Sequence, residues 1–210
     1  MLHWLESPLG SNMILGFDVK YRDGVWVKTL CNKSIQYETW SYAKYKSMHK
    51  RCLVGGAGQR NYPSYVGCHT SENFKDFQLF AEWSSNQIGY ERESWHLDKD
   101  ILVKGNKLYS ENTCAFVPTA INGLFIDKKV LRGEWPIGVY FNKRDEVFTA
   151  YVCRDGKLEH ISSHNNPYAA FLAYKREKER YIKDVANRWK SDVDIRVYEA
   201  LMNYTVEIAD

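Results

Sequence analysis

A chain of 210 residues, 44% hydrophobic and 26% charged, has room for one large domain or two small ones with real cores. A formal net charge of +3 selects no partner by itself, and no apolar run approaches the roughly 20 residues of a membrane span. Five cysteines (Cys31, Cys52, Cys68, Cys114, Cys153) without a Cys-x-x-Cys pair argue against a disulfide framework, and for free thiols in a soluble, intracellular chain.

The charge is uneven: residues 1–70 carry nine Lys/Arg against Glu6, Asp18, Asp23 and Glu38, a basic segment able to follow a phosphate backbone. Residues 13–32 alternate apolar and polar about Arg22-Asp23-Gly24 and predict a β-hairpin. A basic amphipathic helix follows, with Tyr37, Trp40, Tyr45 and Met48 at helical spacing and Ser34 or Thr39 as its cap. The Gly-rich stretch 55–65 lacks the Gly-Lys-Ser/Thr ending of a phosphate loop and reads as a flexible connector. Ser71 caps a second predicted helix whose Phe74, Phe77, Phe80, Ala81 and Trp83 form one core-facing stripe. Cys52, Cys68 and Cys114 with a histidine could hold zinc, but without close ligand pairs they read better as buried thiols.

Next come a strand at about 94–103, a polar loop around Lys104-Gly105-Asn106 and a strand at about 113–118, ended by Pro118 and followed by a short helix or turn. A linker is predicted at 127–135. Beyond it lie three short strands, a long helix from Asn166–Pro167 to about Trp189, with Ala170, Ala173, Tyr174, Tyr181, Val185 and Trp189 inward, and a final helix. The expected class is α+β in two modules, 1–126 and 136–210.

An acid ending one strand and a side chain from the next helix can together grip one divalent cation, which would stabilise the departing oxygen of a cleaved phosphodiester. The run from Trp40 to Cys52, Tyr62–Cys68, the Phe74–Trp83 stripe and Leu97–Pro118, with its Leu97-Asp98-Lys99-Asp100-Ile101-Leu102 string, resemble the HNH (ββα-metal) nucleases, especially phage homing endonucleases. The resemblance implies metal ligands at Asp98 and Asn122, a bracing amide at Asn112 and a catalytic set of Asp98, Lys99 and Asn112. It places the family's general-base histidine on Lys99, and implies Mg²⁺ or Mn²⁺ as the cofactor. As a strand residue Asp100 points away from Lys99, whereas His96 shares the face of Asp98.

Residues 136–182 resemble an AP2-type DNA-binding domain, a three-stranded antiparallel sheet packed on one helix with its outer face laid against DNA. Phe148, Ala150 and Val152 alternate inward and Thr149, Tyr151 and Cys153 outward, while Val139 and Phe141 oppose Tyr140 and Asn142. The implied DNA-contacting set is Tyr140, Asn142, Lys143, Arg144, Thr149, Tyr151 and Arg154, with Lys157 in the second turn meeting phosphates.

The two resemblances together imply an endonuclease that binds and cuts double-stranded DNA in the cytoplasm of a phage-infected bacterium. A catalytically silent DNA-binding regulator is the alternative, and a protein-interaction module a third. Oligomeric state is open, leaning to a monomer.

Overall fold

The computed structural model describes residues 15–21, 24–32, 35–125, 134–208 and 210. Arg22 and Asp23 of the expected turn, Ser34, and most of the expected linker lie outside them. The chain divides into two compact units, Met1–Phe116 and Val117–Asp210, and is α+β.

The first unit opens with strands β1 (Leu15–Gly16), β2 (Thr29–Asn32) and β3 (Ile35–Thr39) in the order β1-β3-β2. β1 runs parallel to β3, and β2 antiparallel. The expected 13–32 hairpin is therefore reduced to one antiparallel bridge, Lys20↔Trp26. Residues 35–39 are strand rather than helix, because β2 is there to receive their backbone hydrogen bonds. Helix α1 (Trp40–Cys52) starts only after them. Thr39 stands at its N-cap, yet its hydroxyl donates instead to the Val27 carbonyl at 2.8 Å.

The supposed connector is ordered: it holds helix α2 (Ala57–Asn61) and a 3₁₀ turn, Pro63–Tyr65. Strand β4 (His69–Thr70) leads to a 3₁₀ turn, Asn73–Lys75, whose Phe74 N–H donates to the Ser71 hydroxyl at 3.3 Å. Helix α3 (Phe77–Ser85) has its own cap, Asp76, which accepts from the Gln78 N–H at 2.6 Å. The aromatic stripe is core. Phe74 and Phe80 are fully buried, and Phe74 meets Trp83 at 4.8 Å between ring centroids. Phe116 receives Trp40 at 4.8 Å and Trp83 at 5.7 Å. Truncating one such ring to alanine costs about 3–5 kcal/mol.

Strand β5 (Trp95–Asp98) alternates buried Trp95 and Leu97 with half-buried His96 and Asp98. Strand β6 (Leu108–Tyr109) runs parallel to β4, and β7 (Ala115–Pro118) forms a two-stranded sheet with β5. The chain passes from one unit to the other inside β7.

The second unit begins there, with the short helix α4 (Thr119–Asn122) following Pro118. Its sheet is an antiparallel meander of β8 (Val139–Asn142), β9 (Val147–Arg154) and β10 (Lys157–His164), in the order β10-β9-β8. The β9–β10 connection is the two-residue loop Asp155–Gly156, both at positive φ, a geometry that follows the twist of the strands. Helix α5 (Pro167–Trp189) starts where Asn166 accepts from the Ala169 N–H at 2.8 Å and Pro167 supplies a preset φ. Its Ala170, Phe171 and Tyr174 close a core on Val139, Ala150 and Val152, joined by Val206 from beyond helix α6 (Ile195–Met202).

Candidate functional site

In the first unit the polar residues gather at the end of β5, where the hydrogen-bonding partner runs out and the chain bends from Lys99 onward. Asp98 turns its carboxylate back on that bend: one oxygen accepts from the N–H groups of Asp100 at 2.9 Å and Ile101 at 2.8 Å. Burial and the neighbouring Asp100 carboxylate push the Asp98 carboxyl up to about 6, against the pull of those two N–H groups. A cation beside Asp98 would relieve the repulsion from Asp100 that helps raise it.

Lys99 is only 4% exposed and its ammonium lies 2.9 Å from the Asp100 carboxylate, 6.0 Å from the centre of the Tyr109 ring. Lys99 and Asp100 thus meet rather than point apart, because β5 stops at Asp98 and strand alternation no longer applies. His96 shares the Asp98 side of β5, as strand spacing requires. Burial, then the charges of Lys44 and Arg51, hold its imidazole below the ordinary histidine range, so it is neutral near pH 7. Both cations come from α1. Lys44 donates to the Trp95 carbonyl, and burial followed by Arg51 lowers it to about 8. Arg51 reaches the Leu97 carbonyl at 3.3 Å. The helix is thereby tied along the strand.

The brace is a different amide from the one expected. Asn112 is exposed in the turn 111–113. Asn106 instead donates to the carbonyls of Lys99 and Leu108, both at 2.7 Å, while its oxygen accepts from the Leu108 N–H at 3.1 Å. The signal was available in the sequence, since an asparagine directly after the turn glycine Gly105 is placed to fold back on its own loop. Asn122 ends α4, half-buried, in the second unit. Among the described residues no group of three or more His, Cys, Asp or Glu side chains is arranged around a metal position. At the end of β5, Asp98 and Asp100 are the two carboxylates that could face a hard cation.

In the second unit the outward face of the sheet follows from the register. Tyr140 opposes Thr149, Thr149 opposes Ser163, and Tyr151 opposes His160. Tyr140 and Tyr151 meet edge to face at 5.5 Å, and Tyr151 and His160 at 5.6 Å, making a ladder of three rings across three strands. His160 was not among the residues singled out by sequence. Its signal was its position opposite Tyr151, visible only once the register is known.

Three of the expected DNA-contacting side chains are occupied within the protein. Thr149 is only 4% exposed, with its hydroxyl 3.3 Å from that of Ser163. Asn142 accepts from the N–H groups of Arg144 at 3.0 Å and Asp145 at 3.3 Å, and donates to the Asp145 carboxylate at 2.8 Å, so it builds the turn. Arg154 lies on the helix side of the sheet, 2.7 Å from both Glu159 and Glu177. Tyr140, Tyr151, Lys143 and Arg144 keep exposed surface, the Arg144 side chain almost entirely.

No described helix is long and apolar enough to cross a membrane. Comparison with protein-family models, curated proteins and solved structures finds no match.

Proposed function

We propose that the chain is a DNA-binding protein of the HNH (ββα-metal) kind, cleaving duplex DNA phosphodiesters with Mg²⁺ or Mn²⁺ at the Asp98 end of β5. The observation that carries this reading is the Asp98–Asp100 pair, two adjacent carboxylates of which Asp98 sits raised to about 6. Oxygen donors suit these hard cations. A bound cation would supply charge neutralisation at the scissile phosphate. The chain itself contributes Asp98 and Asp100 as ligands and the neutral His96 as a proton acceptor on the same side of the strand. Lys99 and Asn112 drop out of the proposed chemistry, one held on Asp100 and the other exposed in a turn. DNA would meet the ring ladder Tyr140–Tyr151–His160 and the turn cations Lys143, Arg144 and Lys157 of an AP2-like sheet.

The second reading is a catalytically silent DNA-binding protein. The Lys99 ammonium favours it, since it already stands where a cation would neutralise Asp100. Supercoiled plasmid incubated with Mg²⁺ or Mn²⁺ separates the two. The nuclease reading expects nicked or linear product that EDTA and Asp98→Asn abolish. Intact plasmid, with DNA still retarded in a gel, leaves the silent reading.

A further inference from the structure

Between Glu38 and Glu72 the sequence has no acidic residue; of its cations Lys44 and Arg51 are drawn against β5 and Lys46 pairs with Glu38, which leaves Lys50 and Arg60 exposed. This stretch folds as α1, a glycine loop, α2 and the Pro63–Tyr65 turn. Its surface carries four exposed large apolar side chains, Leu53, Val54, Tyr62 and Val66. Leu53 is 62% and Val54 88% exposed, side by side at the tip where α1 ends.

The tip is held in shape. Gln59 is buried beneath it, accepting from the Gly55 N–H at 3.3 Å and donating to the carbonyls of Arg51 at 3.4 Å and Tyr65 at 3.2 Å. The Gly56 N–H closes on the Leu53 carbonyl at 2.9 Å, and Arg60 donates to the Gly55 carbonyl. A buried glutamine with three backbone partners fixes a loop that leaves its two largest apolar groups in water. The pair is thus held in water in a fixed position, ready to be covered by a partner.

We infer that Leu53 and Val54 form a wedge that enters the minor groove of duplex DNA and opens a base step, with Lys50 and Arg60 on the flanking phosphates. The inference rests on the DNA-binding reading above and adds a mode of contact to it. Charge complementarity selects a polyanion, because the wedge is flanked by the exposed Lys50 and Arg60 and the sequence has no acid from 39 to 71. A lipid surface shares that charge, but it is met by a long amphipathic face rather than by two adjacent residues on a braced turn.

The test is bending of an end-labelled duplex, read by energy transfer, together with affinity over a salt series. Wild type is expected to bend the duplex. The double variant Leu53→Ser/Val54→Ser, altered only at exposed positions, should bind a straight duplex about tenfold more weakly with an unchanged salt slope. Lys50→Ala should instead lower that slope by about one. A straight duplex in the wild-type complex overturns the wedge while leaving DNA binding intact, as does full bending by the double variant. Equally fatal is a double variant that loses only phosphatidylserine vesicles. Absence of any duplex binding at low salt removes the DNA-binding reading itself, and the wedge with it.

Discussion

Gly138 opens β8 at φ +74°, and a Cβ built on it would stand 2.2–2.5 Å from ring atoms of Tyr174. That ring belongs to the core joining α5 to the sheet, so it has no solvent to retreat into. Gly138→Ala therefore meets two costs: the left-handed backbone, about 1–2 kcal/mol, and forced repacking, about 1–3 kcal/mol. Gly156 is the control, at φ +78° with nothing within 4 Å of the added methyl, so Gly156→Ala carries the backbone cost alone. The gap between the variants should be about 1–3 kcal/mol, or roughly 5–20 °C in melting temperature for a unit of this size. Urea and thermal unfolding followed by far-UV circular dichroism measure it. Pairing Gly138→Ala with Tyr174→Ala should cost less than the two changes added, since the struck ring is gone. Equal losses for Gly138→Ala and Gly156→Ala would refute the seating of Tyr174 on this glycine.

In metal-free buffer the folded Asp98 carboxyl, raised to about 6 from an ordinary 3.8, holds its proton more tightly than the unfolded chain does. Stability from this group therefore falls as pH rises through about 4 to 6, and the deficit persists above. Asp98→Asn keeps the oxygen that accepts from Asp100 and Ile101, so it should be more stable than wild type by about 2–3 kcal/mol near neutral pH and equal at pH about 3.5. Urea midpoints at the two pH values check this, and a variant weaker at both contradicts it. Asn106→Ala should cost about 2–3 kcal/mol by stranding the Lys99 and Leu108 carbonyls, whereas Asn112→Ala should stay within about 0.5 kcal/mol. Thermal melts of both variants decide which amide braces the loop.

What the sequence made legible is what local physics controls. The α5 start at Asn166–Pro167 and the Phe74–Phe80 stripe both follow from capping and periodicity. Residues 35–39 did not, because their helical spacing was overruled by a partner strand three residues upstream. Gln59 was likewise hidden inside a stretch whose glycines pointed to flexibility, since bracing by one buried amide leaves no periodic trace. For the site, alternation placed His96 with Asp98, but nothing local announces that β5 ends at Asp98 and lets Lys99 fold onto Asp100. Which cations and amides are spent inside the protein depends on partners distant in sequence, such as Glu177 for Arg154.

That spending changes where DNA affinity would arise. Bringing Arg154 to a phosphate means breaking two 2.7 Å ion pairs, with Glu159 and with the largely shielded Glu177, which would keep only Arg176 and Arg180. One phosphate contact does not offset that exchange. Asn142 could read a base edge only by releasing the turn that presents Lys143 and Arg144. The AP2-like face, on the proposed reading, is left with rings and a few turn cations, which favour stacking and positioning over base-edge discrimination. Salt-dependent affinity then falls mainly to the acid-free stretch of the first unit, where Lys50 and Arg60 are exposed beside Leu53 and Val54. Charge and apolar contact would act at one place there, and sequence preference would come from how readily a base step opens rather than from hydrogen bonds to its edges.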